Sequence, residues 1–550
     1  MKKFKVLFLI LFTISILFSC AKRGTITGGD KDILPPKITS SSPKNFTTNF
    51  DKKIIKINFD EYIKVKDIQK QLIISPPMNI APTVLPQGTA NKFISIKIND
   101  TLIPNTTYSF NFGQSITDFN EGNAYPQLKY VFSTGAFIDS LSIEGSIKDS
   151  YEKNTDNFVN ILLYEVDDKY NDSVIYKKTP RYITNTLDSL KTFKIENIKA
   201  GKYKLIALKE ANNNYKFDSN KDKIAFYNQT ITIPDQSIYE LELFKENLKF
   251  KSKKPVQASG NRIIMGYDGD AKNLNITAKQ RGNILKTKIT KFPEKDSVQV
   301  WFEPMKNDSI QIGVENLDYK KDYMVKIKNQ RQDTLKLTSN AAAILRLNEK
   351  FTIKASVPLE KFDVQKMSLT KKDSSKVDFK TNYDDFNQNL EILFTSEPDE
   401  KYTFKMVPKA VEDYLGKAND SLKFSFSTKS LADYGNLKVN LQNVKSFPVI
   451  VELTDSKGKI LAAQYSEKQT SVEFLLIEPQ KYSMRVIYDT NKNKLRDTGN
   501  YLEKLQPEEV IHFPTEIDVR ANWDVDQDFD LTLIPVEPPN KPKAKKVKSD

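Results

Sequence analysis

Residues able to do chemistry are sparse in this chain of 550 residues, which has one histidine, His512, and one cysteine, Cys20. A single cysteine excludes an internal disulfide and a thiolate zinc site, and a single histidine leaves no His cluster for catalysis or soft-metal binding. Asp60-Glu61 could act as an acid/base pair only by facing one bond together, but neighbours on a strand point to opposite faces. No Gly-rich phosphate loop occurs, and no motif ties a serine to His512. These exclusions predict a protein that is not an enzyme. Two oxygen-rich stretches remain, Glu210 to Asp218 and Asp489 to Asp497. Oxygen-bearing side chains recur in each at the first, third, fifth and ninth places: Glu210, Asn212, Asn214 and Asp218; Asp489, Asn491, Asn493 and Asp497. That spacing partly matches a calcium loop, although the sixth-place Gly and twelfth-place Glu of an EF-hand are missing. Asx-type hydrogen bonding that stiffens a hairpin accounts for the same residues without metal. No cofactor is therefore expected, with calcium at these loops as the alternative. A third set, Asp524, Asp526, Asp528 and Asp530, falls on one face of an extended strand, where mutual repulsion favours solvent, a cation or a basic partner.

The elements that must carry these residues are strands. Alternation such as Ile94-Ser95-Ile96-Lys97-Ile98 puts one face inward and one in water, and Pro, Asn and Gly turns separate such segments throughout. The chain is several times longer than one domain and divides into about four or five units. Both oxygen-rich loops follow a Lys-Tyr strand: Lys202 to Glu210 is the same step as Lys481 to Asp489, which predicts an internal repeat. The formal charge of +14 comes from lysines interleaved with apolar residues, as in Lys53-Ile54-Ile55-Lys56-Ile57. This predicts solvated strand faces and no nucleic-acid partner. Trp301 is expected to be an interior or interdomain aromatic.

At the N-terminus, Lys2, Lys3 and Lys5 precede a short apolar run ending Leu17-Phe18-Ser19-Cys20. This is a secretory signal, and its lone cysteine resembles the lipobox of a bacterial lipoprotein, which implies lipidation of Cys20 and removal of residues 1–19. Residues 20–32 read as a flexible tether. Leu34-Pro35-Pro36, Phe59-Asp60-Glu61, Leu102 to Tyr108, Ile116-Thr117-Asp118, Glu121-Gly122-Asn123 and Phe132-Ser133-Thr134-Gly135 resemble the bacterial Ig-like domain of surface-layer proteins and Bacteroidetes lipoproteins, placed here at 33–136. Residues 137–238 and 431–535 resemble prealbumin-like or carboxypeptidase-regulatory-like sandwiches, with Phe193 to Tyr203 carrying the first likeness and the loop repeat extending it to the second. Residues 239–338 are expected to form a further sandwich, and 339–430 a divergent Ig-like copy through Tyr402-Thr403-Phe404, Val411-Glu412-Asp413 and Phe426-Ser427-Thr428. The expected fold class is all-β, tandem Ig-like and prealbumin-like sandwiches in an elongated string. A disordered Pro/Lys-rich tail closes the chain at 536–550.

The function expected from these features is that of a noncatalytic outer-membrane lipoprotein, a scaffold or accessory subunit of a cell-envelope complex. Its expected partners are the membrane, through lipidated Cys20, and an outer-membrane barrel or other envelope protein, with the cell surface favoured over the periplasmic face. The alternative is a surface adhesin or glycan-binding protein.

Overall fold

The computed structural model describes residues 31–186, 191–305 and 308–532, so Cys20 and the tail 536–550 lie outside the described residues. Strands dominate: the described helical elements are the four-residue Ile68–Gln71 and three 3-10 turns. The strand Ile54–Val65 shows why. Its lysines and Asp60 face water while Ile55, Ile57, Phe59 and Ile63 point inward, the alternation a half-buried sheet requires.

Five hydrophobic cores follow one another along the chain, from Phe50 to Phe132, Ile143 to Leu243, Ile263 to Ile327, Ala341 to Phe426 and Leu437 to Leu531. The second and fifth sandwiches have one topology used twice. In the second, Tyr182–Asn185, Asn160–Glu165, Gly201–Lys209 and Lys223–Phe226 form one sheet in that order, and Thr192–Ile198, Leu141–Asp149 and Ile238–Leu243 form the other. In the fifth, Ile460–Ser466, Val449–Thr454, Gln480–Tyr488 and Val510–His512 repeat the first order, and Ser471–Ile477, Gly435–Gln442 and Asp524–Asp530 the second. In both, the last strand pairs parallel to the first. The first and fourth sandwiches match in the same way, with Lys401–Met406 between Met367–Thr370 and Leu422–Thr428 where the first has Thr107–Asn111 between Ile73–Ser75 and Lys129–Ser133.

The larger sheet of the second sandwich is buried on both sides. Ile161 and Leu163 enter the core of the second sandwich, while Leu162 and Tyr164, with Ile206, Leu208 and Phe226, form a separate apolar cluster on the outer face. The unbroken apolar run Ile161-Leu162-Leu163-Tyr164 is therefore a strand covered twice rather than a half-exposed one. Trp301 is fully buried with Val357 and Tyr414 at the junction of the third and fourth sandwiches, the second of the two positions, interior or interdomain, expected for it. Its indole N–H donates to Thr290 Oγ1 at 2.8 Å, and Tyr414 Oη donates to the Phe302 carbonyl at 2.8 Å.

The nearly all-β tandem of sandwiches expected from the sequence is present, with one addition: the fifth sandwich packs against the second.

Candidate functional site

The two oxygen-rich loops each join the long Lys-Tyr strand to the next strand of its sheet. Glu210 accepts the backbone N–H of Asn214 and of Tyr215, both at 2.8 Å, and the Asn160 amide at 2.9 Å. Asp489 accepts the equivalent N–H groups of Asn493 at 3.1 Å and Lys494 at 2.9 Å. A second carboxylate closes each loop: Asp222 accepts from Ala211 and Asp218, and Glu508 from Thr490 and Asp497. Asp222, Asp489 and Glu508 are all buried. Burial pushes the half-buried Glu210 carboxyl above the ordinary carboxylate range, against the donors that favour its charge. Among the side chains, Asn491 and Asn493 both donate to Asp497 Oδ2, at 2.5 and 2.7 Å, and Asp218 accepts from Asn220, which holds its carboxyl below the usual range. Asn212 and Asn214 are exposed. Both loops are thus closed on their own backbone, the turn-stiffening alternative raised by their sequence. No group of three or more His, Cys, Asp or Glu able to hold a metal occurs among the described residues.

The anchors Asp222 and Glu508 were not legible as a pair, because the loops differ in length between their last two acids. Asp218 and Asp222 are four positions apart, whereas Asp497 and Glu508 are eleven. The extra residues of the fifth sandwich reach across to the second. Tyr501 is buried there, its ring 5.2 Å from that of Phe226 at an interplanar angle of 84°. Its backbone N–H donates to Glu246 at 2.7 Å, and its hydroxyl lies 3.4 Å from that of Tyr170, 331 positions away. Thr498 donates to the Lys245 carbonyl, Gln506 to the Phe226 carbonyl, and Lys504 pairs with Asp172 at 2.7 Å. A Cβ on Gly499 would stand 2.6 Å from the Phe244 ring, so glycine is what allows the insertion to lie this close.

The second sandwich reaches back through Tyr151, whose ring is held between two guanidiniums. Arg485 stands 3.6 Å and Arg496 4.5 Å from the ring centroid. Arg485 Nε donates to Glu452 at 2.7 Å and Nη1 to the Tyr151 carbonyl at 3.0 Å, both charged partners being buried. Arg496 donates to Ser150 Oγ, and Lys153 to the carbonyls of Phe513 and Pro514. His512 sits in this contact. Burial, then the charges of Arg485 and Lys153, push its pKa down to about 4, so it is neutral at physiological pH. Its place is structural, as the lack of any catalytic motif around it in the sequence suggests.

Chain continuity links the second sandwich to the third, the third to the fourth and the fourth to the fifth. The contact from the fifth to the second makes these four a closed circuit, to which the first is fixed by Ile73 in the outer apolar cluster and by the Ile183 N–H donating to Ser75 Oγ.

The remaining candidates are dispersed. Asp524, Asp526, Asp528 and Asp530 share a face as expected, and amides of the adjacent strand and its turn hold them: Asn436 donates to Asp524, Asn440 to Asp526 and Asp528, and Asn443 to Asp530. Asp60 accepts the Lys37 N–H, while burial and the nearby Asp118 raise the pKa of Glu61. Asp118 caps a turn by accepting from Glu121, Gly122 and Asn123, and Asp413 of the fourth sandwich does the same with Leu415 and Lys417.

The first sandwich can be placed among known proteins. Residues 32–134 match the family model of the bacterial Ig-like domain. This Ig-like unit is the part of the chain in which the resembling motifs were found. No curated protein matches the chain. Among solved structures, the tandem Ig repeats of Dlar are 12% identical over 33% of this chain and 98% of theirs, with a TM-score of 0.14. The S-layer protein rSbsC(31-844) is 12% identical over 88% of this chain and 67% of its own, also with a TM-score of 0.14.

Proposed function

We propose that this protein is a noncatalytic, lipid-anchored scaffold or accessory subunit of a cell-envelope protein complex, tethered to the outer membrane through Cys20. The observation that supports this best is the contact between the second and fifth sandwiches. Burying the fifth sandwich's own Arg485–Glu452 pair under Tyr151 of the second costs desolvation, and the return is a fixed orientation between distant modules. Fixed orientation serves a protein whose task is to hold partners in place. The Ig-like unit at the N-terminal end would then stand nearest the membrane, with the closed circuit beyond it, and a barrel or another envelope protein is the expected partner.

The test is affinity isolation of the tagged full chain from cross-linked membranes, beside Cys20→Ser. One envelope protein recovered in constant ratio with the wild type and lost with Cys20→Ser is the expected result. A wild-type chain that leaves the membrane fraction on a salt wash and brings no partner would overturn the proposal. Protease added to intact and to permeabilised cells settles the side: digestion of intact cells is expected if the sandwiches face outward.

A further inference from the structure

The fourth sandwich carries an open basin of about 550 Å³ on the outer face of the sheet formed by Lys401–Met406 and its neighbours Leu422–Thr428 and Met367–Thr370. Tyr402, Phe404 and Phe426 point into the core, so alternation turns Lys401, Thr403 and Lys405 outward on one strand and Lys423, Ser425 and Ser427 outward on the next. In register, Lys405 stands directly opposite Lys423, Thr403 opposite Ser425, and Lys401 opposite Ser427. Like charges directly opposed across strands are destabilising. Some lysines of this sandwich are ion-paired, Lys361 to Glu412 at 2.7 Å and Lys350 to Glu391 at 3.2 Å, but only on this face do two lysines stand directly opposite each other in a described strand pair of the sandwich. Lys401, Lys405 and Lys423 have no carboxylate within ion-pair distance among the described residues. At the rim, Lys371 is already taken by Glu397.

Three unpaired ammoniums interleaved with hydroxyls select a ligand by charge and by hydrogen bonding. Lys401 and Lys405 lie four residues apart, about 13 Å along an extended strand. That spread suits a chain of charges better than one small anion. A protein partner would be expected to find an apolar or aromatic anchor at the centre of the patch, but the rings here lie beneath the sheet. Single-stranded nucleic acid would need stacking platforms, which the outward residues do not offer. We infer that this face binds an extended anionic polysaccharide, its carboxylate or phosphate groups meeting Lys401, Lys405 and Lys423 and its hydroxyls meeting Thr403, Ser425 and Ser427.

The probes are polygalacturonate for carboxylate, a phosphorylated mannan for phosphate and dextran as the neutral control, titrated calorimetrically into the full-length protein at low and physiological salt. Binding of at least one anionic polymer, weakened by salt and absent with dextran, is expected. The stronger of the two anionic polymers identifies the source of charge. Lys405→Glu/Lys423→Glu should weaken binding at least tenfold, and the milder Lys405→Gln/Lys423→Gln should weaken it in the same direction if the charge reversal disturbs the fold. Lys169→Glu/Lys468→Glu, which changes the net charge equally at exposed positions of other sandwiches, should leave affinity unchanged. Equal loss in both glutamate pairs, or no binding to either anionic polymer, overturns the inference. So does concentration-dependent self-association that is abolished by the Lys405/Lys423 substitutions, since the face would then receive the Asp524 to Asp530 strand of a second copy.

Discussion

Arg485 is buried in the contact between the second and fifth sandwiches, where it pairs with Glu452 of its own sheet and meets the Tyr151 ring and carbonyl of the second sandwich. Replacing it with Ala leaves the buried Glu452 carboxylate without its counter-charge, held only by the Tyr151 hydroxyl at 3.2 Å, and should cost about 3–5 kcal/mol. Arg485→Met/Glu452→Leu removes both charges and should cost far less. Urea unfolding of the two variants checks the difference, and adding Tyr151→Ala to each isolates the stacking contribution. His512 gives the same contact a pH dependence. In an unfolded chain it protonates below about 6.5, but in the folded protein only at about 4. Between those values the unfolded state binds more protons, so this residue's contribution is intact above 6.5 and declines as pH falls to 4, by about 3 kcal/mol in all. His512→Gln should flatten the fall in urea midpoint between pH 7 and 4.5 relative to wild type. An equal fall in both proteins would place the acid sensitivity elsewhere. None of this was legible at the residue itself. Locally His512 is followed only by Phe513-Pro514, and the charges that act on it include Lys153, 360 positions from Phe513.

The strands were open to sequence reading because alternation is a local property: Ile94 to Ile98 and Ile54 to Phe59 state their inward faces in the order of their residues. The loop repeat was equally plain, since the Lys-Tyr strand fixes the frame in both copies. What spacing concealed was the closing acid of each loop, because an insertion separates Asp497 from Glu508. That insertion is the element with the clearest mechanical role. Tyr501→Ala would empty a buried site against Phe226 and Phe244 and should cost about 3–5 kcal/mol of the contact. The expected sign is proteolytic nicking within residues 498–507 under native conditions, before the strands on either side are cut. Resistance equal to wild type would mean that the insertion is held by its own loop rather than by the second sandwich.

At the scale of the whole molecule, a tandem of sandwiches suggests beads that meet only their neighbours, and its sequence gives no hint of a return contact. The residues responsible are Tyr151, Lys153, Arg485, Arg496, Tyr501 and Lys504, polar or amphipathic side chains of loops and strand exteriors that read as solvated when taken one at a time. The return contact converts the second to fifth sandwiches from a flexible series into one frame, on which the basic face of the fourth and the acidic strand of the fifth hold set positions. The frame can be tested through the Lys504–Asp172 ion pair, which spans the contact at 2.7 Å with both side chains about one-third exposed. A zero-length carbodiimide joins amines to carboxylates already in contact, and the Lys350–Glu391 pair within the fourth sandwich, at 3.2 Å, is the internal standard. Peptide mapping of the monomeric, cross-linked protein should recover the 172–504 linkage alongside the 350–391 linkage, and Tyr501→Ala should remove only the former. Recovery of 350–391 without 172–504 in the wild-type monomer would contradict the closed circuit.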